Sequence, residues 1–150
     1  MIKVIKMRRT HLGVYGIAIY DDKVLLIKKA EGPYIGLLDL PGGGLEFGET
    51  PEQTLVREFR EEAGLDITDY KLSFCDSLCF WHNATRDKAT VELHHIGIFY
   101  EIAVESLVDV KTEPDGLDSD GALWFDLANG DRNMLAPFVK MAISKLTLSL

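Results

Sequence analysis

Three glutamates, Glu58, Glu61 and Glu62, are the residues of this 150-residue chain best placed by type and spacing to do chemistry. On a helix, roughly 100° per residue gathers them on one arc, and Leu55, Val56, Phe59 and Ala63 fall on the opposite one. Like charges this close cost a few tenths of a kcal/mol per pair, which Arg57 and Arg60 offset in part. A solvated acidic face is one use of such a patch. The other is to hold a hard divalent cation, which carboxylate oxygens and substrate phosphates bind together. The run just before, Leu40-Pro41-Gly42-Gly43-Gly44-Leu45-Glu46-Phe47-Gly48-Glu49, has four glycines, which let backbone carbonyls and amides approach a ligand closely. A glycine-rich turn entering a carboxylate-lined helix suits a metal–phosphate unit.

The helix that must carry these carboxylates is bounded by its own sequence. Thr50 is a cap, Pro51 fits the first position, Gln53 completes a capping box, and Gly64 supplies the left-handed stop. Before it, His11–Tyr20 and Lys23–Lys29 read as a hairpin around Asp21-Asp22. After it come two long strands, Leu72–Trp81 and Thr90–Val104, joined by a polar turn at His82–Lys88. An acidic loop, Glu113–Asp120, leads to a short strand at Ala122–Phe125, and an amphipathic helix spans about Leu135 to Leu146. Strands on either side of a central helix, with another helix at the end, predict an α+β domain over residues 1–150, a mixed sheet packed between helices.

Composition narrows the function. A net charge of −8 disfavours stable nucleic-acid binding, because the phosphate backbone rewards basic surfaces. It leaves room for a small phosphorylated ligand when cations stand between carboxylates and phosphates. Apolar runs such as Ile96–Tyr100 are strand-length, far short of the roughly 20 residues of a membrane span. Met1–Arg9 has no signal-peptide pattern, so the default expectation is a cytoplasmic protein with no membrane partner. Cys75 and Cys79, four strand residues and roughly 13 Å apart, are beyond disulfide reach. With His82 they would still lack a fourth zinc ligand, so they read as ordinary buried or half-buried thiols. The sequon at Asn83-Ala84-Thr85 has no meaning without secretion.

Gly43 through Leu65 resembles the Nudix box, G-x5-E-x7-R-E-U-x-E-E-x-G-U with U apolar. Gly43, Glu49, Arg57, Glu58, Phe59, Glu61, Glu62, Gly64 and Leu65 fill all nine specified positions across 23 residues. Leu38 is a departure, standing where relatives often carry tryptophan, and reads as a packing change. The resemblance implies the Nudix fold, an α/β/α sandwich with a loop–helix–loop catalytic motif. It implies a Mg²⁺-dependent hydrolase, with Mn²⁺ as substitute, that cuts a nucleoside diphosphate linked to another group. Glu58, Glu61 and Glu62 would bind the metal, with the carbonyl of Gly42 or Gly43 as a further ligand. Arg57 and Glu49 would pair and orient the glutamates. Ionised carboxylates shared among cations would favour an alkaline optimum.

The general base of such enzymes often lies outside the box. Asp118 leads the candidates here, with Asp120 beside it and Glu92, His94 and His95 as alternatives. Phe80 and Trp81 are candidates to stack on a base, and Gly43 and Gly44 to meet the substrate; Phe80 and Trp81 read equally well as core residues. The expected reaction is nucleoside triphosphate to monophosphate and pyrophosphate. Alternatives are hydrolysis of ADP-ribose, a nucleotide sugar or a dinucleoside polyphosphate, or nucleotide sensing without catalysis. The resemblance also raises a homodimer through edge strands or Met1–Arg9, a segment that reads equally as an ordinary first strand.

Overall fold

The computed structural model describes residues 6–83 and 90–148. Residues 84–89, with most of the predicted turn and sequon, and the first five residues of Met1–Arg9 lie outside that range. The elements run β1 (Lys6–Tyr20), β2 (Lys23–Lys29), β3 (Leu38–Asp39), β4 (Gly42–Gly44), α1 (Pro51–Glu58), β5 (Tyr70–Asn83), β6 (Thr90–Ile102), β7 (Ser119–Asp126) and α2 (Pro137–Leu148). The sheet is mixed, in the order β3-β2-β1-β6-β5, with β4 added to β1 and β7 to β2. Strand β1 runs parallel to β6 from Lys6↔Thr90 to Ala18↔Ile102; the remaining pairings are antiparallel.

Asp21 and Asp22 both take positive φ, 50° and 56°, the geometry in which a two-residue turn matches the twist of its strands. The hairpin itself is brief, pairing only Ile19↔Val24 and Tyr20↔Lys23. Successive residues of β1 face opposite sides of the sheet. Tyr15 and Ile17, with Phe99, pack against Phe138, Val139 and Ala142 of α2. Val14 and Ala18, with Tyr100 and Ile102, pack against Leu55, Phe59 and Ala63. The sheet is thereby held between α2 and the carboxylate helix. Leu38 is buried on the α2 side and bridges to Leu135, so its substitution for a larger residue stays within the core. Among the described residues no helix is long and apolar enough to cross a membrane. Cys75 and Cys79 are exposed on β5, where burial or half-burial was expected: both point to the face of this edge strand that the core leaves uncovered.

Helix α1 begins as its sequence dictates. The Thr50 hydroxyl accepts from the Gln53 amide at 3.2 Å, the Gln53 side chain accepts from the Thr50 amide at 2.9 Å, and Pro51 opens the first turn. Regular α-helix then stops at Glu58. Phe59–Ala63 forms a wider π turn that closes on Gly64 at φ 69°. Uniform 100° steps place all three glutamates on the open arc; the widened turn instead carries Glu62 inward, to 1% exposure. Phe59, fully buried, seats this turn on the sheet through Gly16, where an added Cβ would lie 2.3 Å from its ring. Gly16→Ala should therefore overpack the contact and cost about 2 kcal/mol, read as a lower urea midpoint at unchanged slope.

Candidate active site

Arg57 organises the mouth of the box. Its Nε and Nη2 donate to the two oxygens of Glu49 at 2.9 and 2.8 Å, a two-point match of guanidinium to carboxylate. Nη1 donates to Glu58 at 2.9 Å and to Glu61 at 3.3 Å, and Nη2 also reaches the Gly44 carbonyl at 3.3 Å. One cation thus ties the glycine turn, the loop and two of the three helix carboxylates together. Glu49 further accepts from the Thr54 hydroxyl at 3.0 Å and the Glu46 amide at 2.8 Å. The Arg57 guanidinium, followed by the Glu46 amide, holds the Glu49 carboxyl down at about 2.

Glu62 is the opposite case. Its Oε2 is buried without a hydrogen-bond partner. Burial, and after it a proton shared with the neighbouring Glu58, hold its carboxyl well above the ordinary range. The glycine turn is fitted against the same pair. Gly42 sits at φ +148°, where a Cβ would strike the Val14 carbonyl at 2.1 Å, and a Cβ on Gly43 would stand 2.6 Å from Glu58 Oε1. Only bare backbone can lie this close to the carboxylates. Hard oxygen donors, one of them buried and unpartnered, are what a Mg²⁺ or Mn²⁺ ion takes. Among the described residues no three such side chains already converge on one point. Glu58 and Glu61 are turned onto Arg57 Nη1 instead, and would exchange that contact for a cation.

These groups line one end of a cleft of about 670 Å³. The other end is built by β1, β6, the Gly32–Gly36 loop and the acidic loop before β7. Asp118 reaches the cleft from that acidic loop and is held by Lys29 through its Oδ2. The loop is stiff: Asp115 Oδ1 accepts from the Leu117 and Ser119 amides at 2.7 and 3.0 Å, and the Ala30 amide donates to the Asp118 carbonyl at 2.7 Å. Asp39 lies beneath, 2% exposed, with Oδ1 accepting from the Leu40 amide at 2.8 Å. Burial raises its carboxyl to about 6, against the pull of that amide and of Lys29. His11, Tyr15, Tyr34, His82 and His95 supply the aromatic wall.

The structure thus brings Glu58, Glu61, Arg57, Gly42, Gly43, Gly44 and Asp118 to one cleft, with Glu62 buried beneath and Glu49 braced against Arg57. It separates Phe80 from Trp81. Strand alternation turns Phe80 inward, onto Tyr34 at 5.5 Å between ring centroids, and leaves Trp81 on the other face, 49% exposed. Neither lines the cleft; His82, two residues on, does. Of the alternative bases, Glu92 and His94 fall on the face of β6 away from His95, and Arg8 holds Glu92 at 2.8 Å. His95 does border the cleft, but both ring nitrogens are taken by tyrosine hydroxyls. The aromatic wall itself was not read from sequence. Tyr34 lies in a loop without periodicity, and His11 and His95 meet only because β1 and β6 pair in parallel register.

Two consequences can be measured on the chain in chelator. Glu62→Gln replaces a carboxyl whose ionisation burial opposes with a permanently neutral amide that can donate to Glu58, so it should raise stability at neutral pH by about 1–2 kcal/mol in a urea melt. Unchanged or lower stability would contradict the geometry. For Asp39, the folded chain keeps a proton that the unfolded chain releases once pH passes about 4. Stability should therefore fall as pH rises from about 4 to about 6, by at most about 3 kcal/mol, and Asp39→Asn should flatten that stretch of the curve.

Comparison with known proteins agrees with this geometry. An ADP-ribose pyrophosphatase of Methanocaldococcus jannaschii is 50% identical over 54 residues, 36% of this chain and 32% of that protein. An 8-oxo-dGTP diphosphatase of Escherichia coli is 33% identical over 67 residues, 44% of this chain and 52% of that protein. The chain thus spans between 32% and 52% of the length of these curated relatives. Among solved structures, a MutT NUDIX hydrolase from Burkholderia pseudomallei superposes with a TM-score of 0.61 at 23% identity, covering 91% of this chain and 97% of the other. The NUDIX domain of Shewanella oneidensis NrtR, complexed with ADP ribose, gives 0.61 at 21% identity, covering 92% and 89%. At these identities the likeness is one of fold. The NUDIX domain family model matches residues 9–141, and with the complete box and the cleft it opens on, the chain belongs to that family.

Proposed function

We propose that the chain hydrolyses the diphosphate linkage of a nucleotide in a reaction dependent on Mg²⁺ or Mn²⁺, with a nucleoside triphosphate as substrate and monophosphate and pyrophosphate as products. The observation that carries this reading is the buried, unpartnered Glu62 carboxylate beside Glu58, roofed by a glycine turn, at one end of a cleft whose other end is aromatic. The names of relatives support the reaction class, since both curated relatives described above are named for cutting diphosphate linkages.

Each side chain has a role that its contacts support. Glu58, Glu61 and Glu62 would hold the cation, with the Gly42 carbonyl as a further ligand. A bound divalent cation there would neutralise the diphosphate and make phosphorus open to attack. Arg57, locked by Glu49, presets where Glu58 and Glu61 stand. Gly43 and Gly44 bring bare backbone to the phosphates. Asp118 accepts the proton of the attacking water, as the water oxygen bonds to phosphorus and the bond to the leaving phosphate breaks. Lys29 holds Asp118 by Oδ2, which leaves Oδ1 to face the water.

A panel of nucleoside triphosphates, ADP-ribose, diadenosine polyphosphates and nucleotide sugars, with Mg²⁺ and detection of phosphate and pyrophosphate, tests this reading. The expected result is metal-dependent release of pyrophosphate from a triphosphate, lost in Glu61→Gln and Glu62→Gln. Asp118→Asn should lower kcat by about 100-fold or more while substrate still binds. Faster turnover of ADP-ribose would replace the triphosphate as substrate. No turnover of any member would overturn the hydrolase reading in favour of a nucleotide-sensing domain.

A further inference from the structure

His95 lies between two phenols at the floor of the cleft. Tyr15 Oη is 2.7 Å from its Nε2, and Tyr34 Oη is 3.0 Å from its Nδ1. Burial, then the nearby His11 and Lys29, lower the ring to about 3, so it is neutral at physiological pH. A neutral imidazole has one N–H and one lone pair. One tyrosine must therefore donate to the ring and the other must accept from it.

The two separations point to which. Hydroxyl donors sit at the shorter separations, about 2.7 Å, and N–H donors at about 2.9–3.0 Å. The 2.7 Å contact is thus Tyr15 O–H donating to Nε2, and the 3.0 Å contact is Nδ1–H donating to Tyr34. The Tyr15 ring is packed against Phe99 and Phe138, at 5.7 and 5.4 Å, with its hydroxyl under Gly13, where a Cβ would lie 2.4 Å away. Both phenols border the cleft; Tyr34 reaches it from the Gly32–Gly36 loop, outside the packed sheet that carries Tyr15.

The carboxylate end and this aromatic end are linked by a chain of contacts. Gly43 lies against Glu58 and Gly44 against His11, the His11 ring is 5.2 Å from His95, and His95 bonds Tyr34. A nucleotide whose phosphates meet the glycine turn would carry its base toward Tyr34, beside Leu93 and His82. We propose that Tyr34 is a specificity residue: its oxygen is engaged by His95 Nδ1–H, and its own proton is offered to the cleft, selecting a nucleobase with a carbonyl over one with an amino group at the facing edge. This rests on reading the cleft as a nucleotide site.

The test is binding without cation or turnover, by calorimetry, of IMP against AMP, a pair that differs at the six-position carbonyl or amino group and the adjoining ring nitrogen. One gained hydrogen bond should make IMP bind about five- to tenfold tighter, and Tyr34→Phe should abolish the difference. Equal affinities, a preference for AMP, no binding of either, or a preference that survives Tyr34→Phe would each overturn the proposal. Nitrogen-15 NMR of the wild-type His95 ring gives a second reading that needs no variant to fold. It should show a protonated Nδ1 and a bare Nε2; a protonated Nε2 or a charged ring would overturn the assignment. Because neither experiment uses hydrolysis, a chain that binds IMP preferentially yet turns over nothing would sink the hydrolase reading alone.

Discussion

A carboxylate taken out of water must be protonated, paired with a cation, or left at a cost of several kcal/mol. The site is arranged around that constraint. Glu62 is carried inward by a widened turn of helix, and the acid beside it, Glu58, is bonded to Arg57 and opposes the ionisation of Glu62 instead of relieving it. Arg57 cannot resolve this, because its five donors are already committed to Glu49, Glu58, Glu61 and the Gly44 carbonyl. What is left is a buried carboxyl with one oxygen unbonded among the described residues, and the fold around it holds it in place. The capping box starts the helix, Gly64 ends it, and Phe59 pins the turn to Gly16.

That rigidity explains why the two ends of the cleft can serve one ligand. Strand β1 touches everything that matters: Gly13 to Tyr15 pair with the glycine turn, His11 faces His95 across the parallel ladder, and Val14 and Ala18 support the helix from below. Moving β1 would displace the glycine turn and the aromatic wall together. The acidic loop is tied to β2 at Lys29 and Ala30, so Asp118 is set by the same sheet. The catalytic and base-recognition roles proposed above would in this sense depend on one strand register.

Much of the carboxylate end was legible in the sequence, because it is local. Caps, glycines and glutamates lie within a single 23-residue stretch, and their chemistry depends on neighbours a few residues away. Even there, uniform helical steps misplaced Glu62, since a π turn leaves no mark on apolar periodicity. The short strands β3 and β4, of two and three residues, were missed for a similar reason: they are ladder contacts of a glycine-rich loop, fixed by β1 and β2. The aromatic end was not legible. Its members come from β1, a loop, β5 and β6, and only the pairing register brings them together. Phe80 and Trp81 read equally as stacking or core residues, and strand alternation, which sends adjacent side chains to opposite faces, turns only Phe80 inward.

Crystals soaked in Mn²⁺, with anomalous scattering recorded at the manganese edge, would test the central claim most directly. The account expects a peak bonded to carboxylate oxygens of Glu58, Glu61 and Glu62 beneath the Gly42–Gly44 turn, with Glu58 and Glu61 swung away from Arg57 Nη1. A peak elsewhere in the cleft, or full manganese occupancy with Glu62 Oε2 still unpartnered, would contradict it.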